Sequence, residues 1–321
     1  MESVRAKVFK LLFGQLVASF LTLADLINEY LGRQNVSVPA IQSLMSFCLL
    51  SVVYFVFYLK QIYKCPQALK KSLIHERNLI WYFIASVCDF SATLMIIQSF
   101  SHISILNVIL LKSLATPTAM IESIFFLGAR YRINHFFGLL VTFFGICLLL
   151  FSGLEFKSDG DLMSGNILCI ASACLYGSSN VIQEHVLKRT ENIVELISCS
   201  SVFGSVFSLI LFAWNYEQIP TRIDVWISLA GFSMSILFFY SFVSLYLKSN
   251  SAAMLNISLS AGTVLSLISS LLLFDLSIDL VYFGSFVLVI FGMIVFHSKD
   301  AITLKQEIFQ DIPQERLQDK T

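Results

Sequence analysis

Charge is what this chain is short of. Only 13% of its 321 residues are Asp, Glu, Lys or Arg, where a soluble domain carries about a quarter. That is too little charge to coat a globule. The formal net charge is +0, so the basic footprint of a nucleic-acid binder is absent. Metal-ligand spacing is missing too. His75, His102, His135, His185 and His297 fall in loops or at the ends of apolar segments. The seven cysteines are scattered through apolar runs, apart from Cys65 in a basic loop, and are read as apolar filler. No ATP-binding motif, cofactor motif or low-complexity linker occurs. The first apolar segment runs into Asp25-Leu26-Ile27-Asn28-Glu29 rather than a small-residue cleavage site, so it is expected to stay as a membrane span.

Apolar length is what the chain has. Hydrophobic residues make up 57% and the mean hydropathy is +0.79. A helix needs about 20 mostly apolar residues to cross a bilayer. Ten windows meet that length, at 8–28, 39–60, 79–100, 104–127, 133–153, 162–185, 193–215, 223–247, 251–274 and 278–298. The expected fold is therefore all-α, a polytopic membrane protein of ten transmembrane helices. The narrowest divisions are Ser101-His102 and Lys248-Ser249-Asn250.

The basic residues orient these windows. With the N-terminus in the cytosol, every Lys and Arg falls on the cytosolic side except Lys112, Arg33, Lys157 and Arg222. Cytosolic loops carry the Lys/Arg excess, so both termini are expected to be cytosolic. Trp81, Trp214 and Trp226 lie at span ends, the depth that amphipathic rings favour.

Five spans on each side of an acidic gap make two halves of opposite topology, a common transporter plan. Adding 147 carries Ser113 onto Ser260, Thr116 onto Thr263, Phe144 onto Phe291 and Gly145 onto Gly292. The expected units are a first repeat at 1–154, a second at 155–298 and a polar cytosolic tail at 299–321. The loop at 61–78 contains Pro66, which can open a short surface helix.

Polar residues inside apolar windows point to function. An ionisable residue at the bilayer centre costs about 2.5–3.5 kcal/mol on insertion scales and faces a protein interior or a wet cavity. Lys112 and Asp89 are such residues. Counted from the non-cytosolic end their depths differ by only about 4–5 Å, so they are expected to pair, with Asp25 as the rival partner for Lys112. Pro117 lacks an amide hydrogen and should kink the fourth span. Tyr176, Asn180, Gln183 and Glu184 follow i, i+4, i+7, i+8 spacing and share a helix face, with Glu184 near the cytosolic end as a gate or interface residue. The small residues of the ninth span suit close packing, and Asn256 is the costly exception. Gln42 lies near the outer mouth. The expected substrate-binding set is Gln42, Asp89, Lys112, Asn180 and Asn256. Tyr176, Gln183 and Glu184 are the expected gate or interface.

Three stretches carry a resemblance: Val38-Pro39-Ala40-Ile41-Gln42-Ser43, the run Leu175 to Glu184, and the run Ser251 to Leu259. They resemble the F subfamily of solute carrier family 35, within the drug/metabolite transporter superfamily. The resemblance spans roughly residues 8–298. It implies ten helices in inverted repeats, moving an organic solute, nucleoside- or nucleotide-related among the candidates, by alternating access. Two departures bear on substrate. The family pattern has an acidic residue where Lys112 stands and another where Ser91 stands.

The expected partners are a small-molecule solute and the lipid bilayer, with a homodimer left open. The membrane, plasma or Golgi/ER, is not chosen by the sequence. A non-transporting receptor or scaffold is the alternative reading. An intramembrane enzyme would need a nucleophile, a metal cluster or paired carboxylates at one depth.

Overall fold

The computed structural model describes residues 4–64, 76–153, 160–215, 217–274 and 280–297. The loop carrying Pro66, residues 154–159 of the acidic gap expected near 154–161, and the tail at 299–321 lie outside these residues. Helices joined by short connections make up the described residues, with no strand among them. In order the helices are α1 (Val4–Arg33), α2 (Pro39–Lys64), α3 (Glu76–Ser99), α4 (Ile105–Leu111), α5 (Ala115–Leu127), α6 (Ile133–Gly153), α7 (Gly160–Thr190), α8 (Ile193–Asn215), α9 (Ile223–Ser249), α10 (Ala252–Ala261), α11 (Thr263–Phe274) and α12 (Leu280–His297). Each apolar window coincides with one helix or with a broken pair. Among the described residues, six continuous runs are long and apolar enough to cross a membrane. They lie on α2, α3, α4 through α5, α7, α8 and α9, and shorter apolar helices include α11 and α12. The chain is an integral multi-pass membrane protein.

Two of the windows are interrupted, and the interruptions position the site. Between α4 and α5 the backbone tightens into a 3-10 turn at Lys112–Leu114. Pro117 has no amide hydrogen to return to the Ser113 carbonyl, and a tighter turn is a common outcome next to such a gap. Next to Pro117 the helix is thus locally tightened, with its backbone still right-handed helical on both sides of the turn. The ninth window, expected as a single helix, stops at Gly262 between α10 and α11. A β-carbon at Gly262 would collide with Ala18 of α1, so the bare backbone lets α1 come close at the break. α5 ends at Gly128, whose φ of 62° is left-handed, the conformation in which glycine commonly closes a helix.

Adding 147 to Ile105, the first residue of α4, gives Ala252, the first residue of α10. Packing is crossed in the same way. α3 lies on α7 while α9 lies on α1, α2 lies on α8, and α6 lies on α12. At the last crossing a β-carbon on Gly138 would run into the carbonyl of Gly292, and one on Gly145 into the carbonyl of Ser285. Adding 147 turns Gly138 into Ser285 and Gly145 into Gly292, so each contact is the counterpart of the other. Small residues let backbones approach where lipid gives no hydrophobic drive. The outer faces of this pair are apolar and exposed, with Phe137, Leu140 and Phe144 on α6 and Phe283, Val287 and Phe291 on α12. Lipid is the solvent that such faces suit.

Candidate functional site

The two broken helices meet at a central cavity that gives water centres about 60 Å³ of room. α1, α3 and the 3-10 turn supply Asp25, Asp89 and Lys112 to its wall. α7, α9 and α10 supply Tyr176, Asn180, Tyr240 and Asn256. The remainder of the lining is mainly apolar, and Phe239 adds an aromatic face.

Lys112 does not pair with Asp89. Its Nζ donates to both carboxylate oxygens of Asp25, at 2.9 and 2.8 Å. The expectation of an Asp89–Lys112 pair is corrected in favour of the rival. Depth alone suggested Asp89, but direction around the helix decides. α3 is packed on α7, and there Gln183 Nε2 donates to Asp89 Oδ2 at 3.0 Å. α1 faces the 3-10 turn from the other side, where Asp25 sits 5% exposed. Fixing α1 to the turn costs the desolvation of two charges, which only close geometry offsets.

A second polar bridge crosses the other side of the cavity. Asn180 Nδ2 donates to Asn256 Oδ1 at 3.0 Å, and Asn256 Nδ2 donates to the Ala252 carbonyl at 3.0 Å. Thr22 and Ser266 hydroxyls meet at 2.8 Å, joining α1 to α11. The Tyr176 hydroxyl is 3.0 Å from Thr93 Oγ1.

The remaining expected residues fall elsewhere. Gln42 is 1% exposed and outside the cavity wall; its Nε2 donates to Asn28 Oδ1 at 2.6 Å. Gln183 lies behind Asp89, where it also donates to Ser179 Oγ. Glu184 is fully buried. It accepts from the amide of Ala252, the first residue of α10, at 2.6 Å and forms an ion pair with Lys188. A helix start has unsatisfied amides and a positive dipole end, so a buried carboxylate is a strong cap there.

The same pairing of a buried capping glutamate with a basic residue four positions on recurs at residues the sequence reading did not single out. Glu29 Oε2 accepts from the amide of Ile105, the first residue of α4, at 2.9 Å. Arg33 Nε donates to Glu29 Oε1 at 2.9 Å. Adding 155 carries Glu29 onto Glu184 and Arg33 onto Lys188, while adding 147 carries Ile105 onto Ala252. A signal for this existed. Thr22, Asp25 and Glu29 follow i, i+3, i+7 spacing, a polar face of the kind noticed on α7.

Comparison with known proteins agrees with this architecture. The family model SLC35F, described as solute carrier family 35, matches residues 4–298. Solute carrier family 35 member F2 of Mus musculus is 26% identical over 322 residues, covering 95% of this chain and 84% of that protein. An uncharacterized solute carrier family 35 member of Schizosaccharomyces pombe is 27% identical over 294 residues, covering 88% of this chain and 56% of its own length. One crystal structure superposes with a TM-score of 0.64 at 16% identity, covering 90% of this chain and 96% of its own. That last likeness speaks to fold alone.

Proposed function

The chain belongs to solute carrier family 35, and on that premise we propose that it moves a small organic metabolite across its membrane by alternating access. Membership makes it a membrane solute carrier rather than an enzyme. The observation that carries the finer reading is the central cavity, walled by both halves at the point where two interrupted helices meet. Unwound backbone at membrane depth is tolerated where it lines such a cavity, and transporters commonly place substrate there.

We take residues 1–154 and 155–298 as inverted five-helix repeats, with 299–321 as a cytosolic tail and both termini cytosolic. The crossed packing and the 147-residue offset between the starts of α4 and α10 support the repeat. Opposite topology puts the Glu29 cap and the Glu184 cap at opposite faces of the membrane. Each ties the first helix of a half to the start of its own interrupted helix. Releasing one cap while holding the other would open the cavity to one side only.

Asp25, Lys112, Asn180 and Asn256 provide donors and acceptors for a polar solute, and Phe239, Tyr240 and Tyr176 provide flat faces. Such a lining suits a planar, hydrogen-bonding heterocycle, which keeps nucleobase- and nucleoside-like solutes first in the screen. The test is uptake of radiolabelled nucleobases, nucleosides, nucleotides and vitamins into proteoliposomes holding the purified chain. Saturable uptake of at least one, lost in the Lys112→Ala variant, is expected. Saturable binding without flux for any of them would favour a receptor.

A further inference from the structure

Helix starts in this molecule satisfy their amides in different ways. α4 and α10 each take a buried glutamate from another helix, Glu29 and Glu184. Each also has a serine just before its first residue, Ser104 and Ser251. Serine is preferred there because its oxygen can accept from the second or third amide of the helix. The Ser251 hydroxyl already accepts from the amide of Met254 at 3.3 Å. The Ser104 hydroxyl makes no capping hydrogen bond, so it stands in reserve if Glu29 lets go. α8 caps itself. Asn192 Oδ1 accepts from the amide of Glu195 at 3.3 Å, and Asn192 Nδ2 donates to the Glu195 carboxylate at 3.2 Å.

α2 has no local group of this kind. Val38 stands just before its first residue, Pro39, and a valine side chain offers no acceptor. That side chain is spent on packing instead, against Leu31, Ile41, Val225 and Leu229. The missing acceptor comes from the other half of the chain. Glu217, in the connection between α8 and α9, accepts from the amide of Ala40 through Oε1 at 2.8 Å. Its Oε2 accepts from the amide of Ile41 at 3.0 Å. These are the second and third amides of α2, the two that a capping side chain at Val38 would serve. Ala40 and Ile41 are both buried, so release of Glu217 would leave buried donors unpaired, which is the costly case.

The connection that carries Glu217 is itself fastened. Trp226 of α9 donates through Nε1 to the Pro220 carbonyl at 2.8 Å. Arg222 pairs with Asp224 of α9 at 2.6 Å and donates to Gln34 Oε1, just past the end of α1, at 3.3 Å. Away from this end α2 lies along α8 and against α9. Cap, connection and packing therefore all join α2 to the second half, although the chain order puts it in the first.

Resting on the alternating-access reading, we propose that Glu217 is a positioning residue, a lasting tie that makes α2 move as one body with α8 and α9. Glu29 and Glu184 cap helices that have a serine to fall back on, which suits gates. Glu217 caps a helix that has none, which suits a pivot. The mouth on this side of the membrane then opens where Glu29 holds α4, and the Glu217 end stays closed throughout.

Spin labels at Ser37 and Ile219, both exposed and outside the helices, span the tie. Their separation is measured on the full-length protein in lipid, with the native cysteines replaced. It should be short in this background and unchanged by Glu29→Gln. It should lengthen in Glu217→Ala. Adding Val38→Thr to Glu217→Ala gives α2 a local hydroxyl cap, and the distance should stay long, because the cap is restored and the tie is not. The double variant also keeps the test standing if Glu217→Ala alone fails to fold. A distance that lengthens in Glu29→Gln overturns the proposal, and so does one that ignores Glu217→Ala. A double variant that returns to the short distance overturns it as well, since capping alone would then account for Glu217. No solute enters the measurement, so an empty uptake screen and a failed tie are told apart.

Discussion

The two halves of the molecule share a frame and differ in charge. In the first half, α1 meets the broken helix through the ion pair of Asp25 and Lys112. In the second, α7 meets its broken helix through the amide pair of Asn180 and Asn256. Adding 155 to Asp25 gives Asn180, and subtracting 147 from Asn256 gives Ile109, one turn before Lys112. The bridges therefore occupy related places with different chemistry. At the helix starts the chemistry is kept instead, a glutamate with a basic residue four positions on in each half. What is kept holds the helices and what differs faces the cavity. On the proposed transporter reading, the shared frame would carry the mechanics and the departures from it the selectivity.

The largest break in that comparison comes from Lys112. Lys112→Ala leaves the Asp25 carboxylate buried without its cation, and losing one partner of a buried pair costs about 3–5 kcal/mol. A sharp fall in thermal stability is expected for the single variant in detergent. The double variant Asp25→Asn with Lys112→Gln, which copies the amides of the second half, should recover most of it. Failure to recover would mean that the charges, and not just a polar bridge, hold this half together.

Next comes the small-residue crossing of α6 and α12. Gly292→Leu drives a side chain into the Gly138 carbonyl and Thr142. Overpacking of this kind costs about 1–3 kcal/mol and occasionally more. Lowered melting temperature by scanning fluorimetry checks it. Gly284 has open space around its β-position, so Gly284→Ala on the same helix should change little.

The smallest effect is expected at the amide bridge. Asn256→Ala removes an interhelical hydrogen bond, worth roughly 0.6 kcal/mol on average and up to about 1.7 in membranes. Stability should fall far less than in Lys112→Ala, while uptake, measured in the proteoliposomes, should fall more than fivefold. Equal losses of stability at the two bridges would erase the distinction between the halves.

Most of the fold was legible from hydropathy, because length and apolar composition alone decide whether a helix can cross a bilayer. The narrow division at Ser101-His102 falls between α3 and α4 as expected, whereas Lys248 and Ser249 complete α9 and only Asn250 stands at its junction with α10. The break near Pro117 was legible because proline acts locally. The break at Gly262 was not, because a glycine among serines reads equally as packing, and its reason is the approach of α1. At the site, Asp89, Lys112, Asn180, Asn256 and Tyr176 were legible as costly or face-sharing polar residues. Their partners were not. Depth follows from counting along a helix, but the direction of a side chain follows from which helices pack together. That is why Lys112 was assigned to Asp89 and why Glu29 passed unnoticed beside the ion pair it resembles.

Two-sided clamping is tested most directly by spin-label distance measurements in lipid, in a background with the native cysteines replaced. One pair of labels, at Gln34 and Ser101, reports the end held by Glu29. A second pair, at Glu191 and Ser249, reports the end held by Glu184. Both pairs are exposed or lie in turns. Glu29→Gln should lengthen the first distance and leave the second short, and Glu184→Gln should do the reverse. Distances that stay unchanged in both variants, or that widen at the same end in both, would contradict the clamps as opposing gates.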